Sequence, residues 1–197
     1  MRRRTFAALL SFAVVAVAPL ASAQSPEQPR QTPAELIALQ RAAMDTLSFM
    51  NGVWRGPAWT MLPSGEKHNI TQTERIGPFL DGSVKMLEGR GYEADGRVGF
   101  NALGVISYDP ATKAYTLHSY AMGREGSFNF TPITKGYIWD IPAGPMTLRY
   151  TMTLIGDTWL EVGDRIIPGR APVRFFEMRL KRVSDTSWPA ADPVPQQ

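Results

Sequence analysis

From Val53 to Val183 the chain repeats one pattern. Apolar and polar residues alternate over short stretches, and glycine, proline or aspartate closes each stretch within a few residues. Period-two alternation marks a strand with two unlike faces, and such short connections force successive strands to lie side by side and antiparallel. Ten segments are expected: Val53–Met61, Lys67–Ile76, Ser83–Tyr92, Val98–Tyr108, Tyr115–Met122, Ser127–Thr131, Tyr137–Ile141, Met146–Leu154, Thr158–Ile166 and Val173–Val183. Left open, such a sheet would expose two edges, and the long crossovers of a two-sheet sandwich are scarce. The expected fold class is all-β: a closed antiparallel up-and-down barrel of about ten strands with one N-terminal helix.

The helix comes first. Thr32 can cap, Pro33 suits the first turn, and Glu35 completes a capping box. Leu36, Leu39, Ala43 and Leu47 recur at helical spacing, so a helix over about Pro33 to Thr46 should lie against the barrel or cover an end. Asn51-Gly52-Val53-Trp54-Arg55-Gly56 follows, with Trp54 read as the plug of the closed end. On the last strand Phe176, Met178, Leu180 and Arg182 share one face against Glu177, Arg179 and Lys181. An inward arginine is costly without a partner. Closure would make the first and last strands neighbours and let Arg182 stack on Trp54.

The N-terminal residues carry a different signal. Arg2, Arg3 and Arg4 precede an apolar run, Phe6 to Leu20, that is short for a membrane span, and Ala21-Ser22-Ala23 forms an A-x-A cleavage site. A signal peptide over 1–23, cleaved after Ala23, is expected. A disordered leader (24–31), the helix and barrel (32–183) and a disordered Pro-rich tail (184–197) should follow. Arg3-Arg4-Thr5-Phe6 also resembles the twin-arginine export signal. The mature protein is expected to be periplasmic or secreted, with no stable membrane anchor.

Charge and composition narrow the function. Of 21 lysines and arginines, three fall in the signal segment, leaving 18 against 18 acidic residues. A neutral domain has no long-range pull on phosphate backbones, so no nucleic-acid partner is expected. The absence of cysteine excludes disulfides, thiolate metal sites and cysteine nucleophiles. His68 and His118 are too few for a His-rich metal cage, and neither metal nor cofactor is expected.

Some strands are ambiguous about which face points inward. Val84-Met86-Glu88-Arg90 and Thr116-His118-Tyr120-Met122 each mix apolar with polar or charged residues in one phase. A packed core would not tolerate this, whereas a ligand-filled barrel would. On that reading Met86, Tyr120, Phe128 and Trp139 are expected as wall residues, and Glu88, Arg90 and His118 as polar contacts. His118 could instead be outward or structurally bonded, and Glu88 with Arg90 could be a surface ion pair. Glu161 and Asp164 fall on opposite faces, so their strand suggests no paired-carboxylate site. Ser-His-Asp spacing, a phosphate loop and H-E-x-x-H are all absent.

A helix, then Gly52-x-Trp54, then alternating strands and a late inward Arg182 resemble the calycin superfamily of lipocalin-like barrels. Leu80-Asp81-Gly82, Glu88-Gly89-Arg90-Gly91-Tyr92, Ile106-Ser107-Tyr108-Asp109 and Trp159-Leu160-Glu161-Val162 are similar to stretches of an exported bacterial group of uncharacterised lipocalin-like domains. The resemblance spans about Leu47 to Val183 and implies a barrel with an internal cavity. The expected function is the binding of a small, largely apolar molecule there. The alternatives are a cavity enzyme of isomerase or cyclase type with His118 as base, a haem or nitric-oxide barrel, and a purely structural envelope role. Haem-binding barrels of similar shape use a late histidine, and this chain has none after His118.

Overall fold

A computed structural model describes residues 31–188. The expected signal peptide, most of the leader and the end of the tail lie outside the described residues.

Thr32 caps helix α1 (Pro33–Asp45) as its sequence requires. Thr32 N–H donates to the Glu35 carboxylate at 2.7 Å, and Glu35 N–H donates to Thr32 Oγ1 at 3.3 Å. Only the second half of the helix packs. Ala43, Met44 and Leu47 are buried while Leu39 is exposed, so Gln40 and Met44 take the contact face that the Leu36–Leu39 spacing assigned to Leu39. Gln40 Nε2 donates to the Tyr108 carbonyl at 3.4 Å. A short 3-10 turn, Ser48–Met50, then delivers the chain into the sheet.

Ten strands follow: β1 (Gly52–Met61), β2 (Lys67–Phe79), β3 (Val84–Tyr92), β4 (Val98–Asp109), β5 (Ala114–Ala121), β6 (Arg124–Ile133), β7 (Gly136–Ala143), β8 (Met146–Ile155), β9 (Thr158–Ile166) and β10 (Val173–Ser184). Each pairs antiparallel with the next, and β1 pairs with β10, so the sheet closes on itself as an up-and-down barrel. Closure satisfies the backbone groups that two free edges would leave open.

The seam carries the expected contact. Trp54 stands opposite Arg182 in the β1–β10 ladder, and the guanidinium lies 6.0 Å from the indole centroid. Trp54 is buried, and its Nε1 donates to the Met50 carbonyl at 2.9 Å, tying the plug to the 3-10 turn. Arg182 donates to the Asn51 carbonyl at 2.8 Å and pairs with Asp185 at 2.7 Å. Gly52 has φ 135°, and a Cβ there would meet Arg182 Nε at 2.8 Å, so this glycine admits the arginine. Replacing Arg182 with alanine is expected to cost about 1–2 kcal/mol in urea denaturation, since the side chain is half exposed and loses one stack, one hydrogen bond and one exposed ion pair. A change under about 0.3 kcal/mol would show that the seam does not depend on it.

The buried core sits at the helix-covered end. Leu47, Met50, Ile76, Ile106, Met152, Trp159 and Leu180 are almost fully buried there, together with Trp54, Phe130 and Tyr137. The register shift in β10 between Arg174 and Phe176 brings Phe175, beside the inward Phe176, to within 5.6 Å of the Tyr150 ring. Gly163 makes room for both phenylalanines, because a Cβ there would meet the Phe175 ring and the Phe176 Cβ, each at 3.0 Å. The first residues of the expected tail are placed as well: Trp188 lies with its ring 6.0 Å from the Arg75 guanidinium.

Candidate functional site

The same strands that pack tightly at the helix-covered end carry half-buried inward residues towards the other end. On β6, Phe130 is buried and Phe128, two residues away on the same face, is not. On β7 the contrast is Tyr137 against Trp139, and on β8 Met152 against Tyr150. These aromatic rings form one wall. Phe128 lies 5.5 Å from Trp139, Trp139 stacks on Tyr150 at 4.4 Å and 9°, and Tyr150 meets Phe176 at 5.7 Å. Across from them the ladder register puts small residues on the inner face: Gly89 and Gly91 on β3, Ala102 and Gly104 on β4, Ser119 and Ala121 on β5. Large rings thus face small residues across the open half.

Two carboxyl groups project into this interior. Glu161 on β9 is 5% exposed and accepts from Tyr137 Oη at 2.7 Å, Trp159 Nε1 at 3.2 Å and Trp139 Nε1 at 3.4 Å. Glu74 on β2 accepts from Gln72 Nε2 at 2.8 Å. It is half-buried, and its ladder position opposite Trp54 and Gly89 puts it on the inner face. Burial raises the pKa of both. Glu74 is pushed up to about 8, chiefly by loss of water, with the charge of Glu161 adding and the Gln72 bond opposing. At Glu161 burial also raises the pKa, and its three donors oppose it. Burial and the charge of Glu161 raise the Tyr137 phenol well above its usual value and push Tyr150 up to about 12, so both stay protonated. The cluster can hold a proton at neutral pH, accept hydrogen bonds, or face a cation.

Of the residues expected to line the cavity, Phe128 and Trp139 point inward. Met86, Glu88 and Arg90 do not. On β3 the inward phase is Lys85, Leu87, Gly89 and Gly91, because the ladder with β2 puts Gly89 opposite Glu74 and Gly91 opposite Gln72. Those glycines have a steric cause: a Cβ at Gly89 would meet the Glu74 carboxylate at 2.9 Å, and one at Gly91 would meet Ile70 Cδ1 at 2.6 Å. The apolar signal is thus missing from the face that points in. Glu88 and Arg90 pair with each other on the outside. On β5 the inward residues are Tyr115, Leu117 and Ser119, which turns His118 and Tyr120 out. His118 lies between Ser127 Oγ at 2.9 Å and Ser107 Oγ at 3.4 Å. A base acting inside the barrel would therefore be a carboxylate and not His118. Glu88 and Tyr120 do meet, with Leu103, Arg124 and Trp188, around a groove of about 780 Å3 on the outer face and rim. His118→Ala is expected to leave stability within about 1 kcal/mol and interior binding unchanged. Loss of binding in that variant would contradict the outward placement.

Glu74 and Glu161 escape a strand-by-strand reading because their partnership is made across the barrel. Comparing Glu161 with Asp164, which is paired outside with Arg174 at 2.7 Å, tests the wrong carboxylate. The available signal was phase: Ile70 and Ile76 bracket Gln72 and Glu74, and Trp159 is in step with Glu161.

No protein-family model matches the chain, and no curated protein matches it. Among solved structures it is similar to the crystal structure of Rv2717c from M. tuberculosis, with 12% identity over 72% of this chain and 97% of that one and a TM-score of 0.54. At that identity the likeness is one of fold.

Proposed function

We propose that the protein is an exported, lipocalin-like barrel that binds a small, largely apolar molecule in the open half of its interior. The observation that carries this reading is the change along single strands, from buried Phe130, Tyr137 and Met152 to half-buried Phe128, Trp139 and Tyr150 on the same inner face. Aromatic rings turned inward but left partly uncovered gain free energy when an apolar guest covers them. The basic n-region and A-x-A site at the N-terminus support export, and the helix with Gly52-x-Trp54 and Arg182 supports the lipocalin-like assignment.

Native mass spectrometry of the purified protein before and after organic extraction tests the reading. A bound mass that extraction removes, or uptake of N-phenyl-1-naphthylamine that quenches tryptophan fluorescence, is the expected result. Trp139→Ala should weaken that uptake about tenfold, because it removes the stacked centre of the aromatic wall. An empty barrel that takes up nothing from a panel of lipids and apolar metabolites would overturn it.

A further inference from the structure

We propose that the cavity selects an apolar molecule carrying one protonated amine, whose ammonium group docks against Glu74 and Glu161. This rests on the reading of the interior as a ligand cavity and adds the chemistry of the ligand's polar end. Both carboxyl groups are inward, and among the described residues neither belongs to an ion pair. Buried charges in proteins are ordinarily matched by an opposite charge. Without a guest Glu74 avoids that cost by keeping its proton; a cationic guest would supply the opposite charge instead.

The two groups are furnished differently. Three donors hold Glu161 as an acceptor. Glu74 has one donor, on Oε1, and is only half-buried. Gly89 keeps that carboxyl uncovered, since a Cβ would stand 2.9 Å from Oε1 and 3.1 Å from Oε2. Close by, the Trp139 and Tyr150 rings present π surfaces, which attract cations as well as apolar groups. An ammonium group gains charge-assisted hydrogen bonds here, an alcohol gains only neutral ones, and a carboxylate is repelled.

Docking has a proton balance that can be measured. Burial keeps the Glu74 proton in place up to about pH 8. An amine arrives charged, its N–H donates to the Glu74 oxygen, and the displaced Glu74 proton goes to the buffer. Binding at pH 7 therefore releases about one proton per ligand.

Isothermal titration of the purified protein with 1-naphthylmethylamine, 1-naphthalenemethanol and 1-naphthoate, at pH 7 in two buffers of different protonation enthalpy, reads both effects. The expected order is amine over alcohol by about tenfold or more, with the carboxylate weakest. Buffer-dependent heat should report proton release for the amine alone. Glu74→Gln is nearly isosteric with the protonated acid, so it should fold; it should abolish the release and most of the amine preference. Equal affinity for all three probes, or amine binding without proton release, would overturn the head-group assignment and leave the apolar cavity standing. Binding of none of the three would remove the cavity reading and this inference together.

Discussion

Stability against urea should pass through a minimum near pH 8. Two buried groups produce it from opposite sides. Glu74 holds its proton up to about pH 8 in the folded chain, against 4.5 for an ordinary glutamate. Between those values the folded state binds more protons than the unfolded one, so stability falls as pH rises through the window and the loss is complete above about 8. Lys85 behaves in reverse. Its side chain is 2% exposed, at the helix-covered end of β3, and its ammonium donates to Asn51 Oδ1 at 2.5 Å. Burial lowers its pKa from 10.5 to about 8, with the charge of Asp45 partly opposing. Between 8 and 10.5 the unfolded state binds more protons, so stability rises with pH there.

Each limb is on the order of 3 kcal/mol, with the Glu74 limb discounted because the residue is only half-buried. Glu35 and Asp109 have lowered values from local hydrogen bonds, and Asp157 from its bond to Lys181; all three act only below this window. Urea titrations at steps from pH 5 to 10 measure the curve. Glu74→Gln should flatten the acid limb, and Lys85→Met should flatten the alkaline limb, its relief of the buried charge offset by the loss of the Asn51 Oδ1 donor. A curve that rises or falls steadily across pH 8 would refute the opposed pair.

Glu161→Ala should be as damaging as truncating a buried core aromatic. It leaves Tyr137 Oη, Trp159 Nε1 and Trp139 Nε1 without their acceptor, in a site where Tyr137 and Trp159 are almost wholly buried. Each orphaned buried donor costs about 1–3 kcal/mol, and water entering the space left by the side chain recovers part of it. A net loss of roughly 3–5 kcal/mol is expected, a fall in Tm of about 10 °C or more for a domain of this size. Tyr137→Phe removes a donor and leaves the acceptor with two others, so it should cost only about 1 kcal/mol. Calorimetry of the two variants side by side decides the matter. If Glu161→Ala were as mild as Tyr137→Phe, the three bonds would not form a stabilising unit.

The sequence by itself determined the architecture. Alternation with short turns dictated ten antiparallel strands, Thr32-Pro33-Ala34-Glu35 dictated where the helix starts, and Trp54 with Arg182 marked the closing seam. All of these are local signals, or follow from the need to pair strand edges. Alternation also assigned the inner face wherever one phase was uniformly apolar, as for Phe128, Trp139 and Met178. It misassigned β3 and β5, because an inner face built from glycine, serine and one or two large residues does not look inner. Tertiary structure alone decided those faces, since only the ladder register and the crowding at Gly89 and Gly91 show why small residues must stand there. It alone also brought Glu74 and Glu161, which lie 87 positions apart in the numbering, close enough to couple in one interior. Electrostatic coupling depends on distance through the barrel, and period-two patterning along one strand carries no information about that distance.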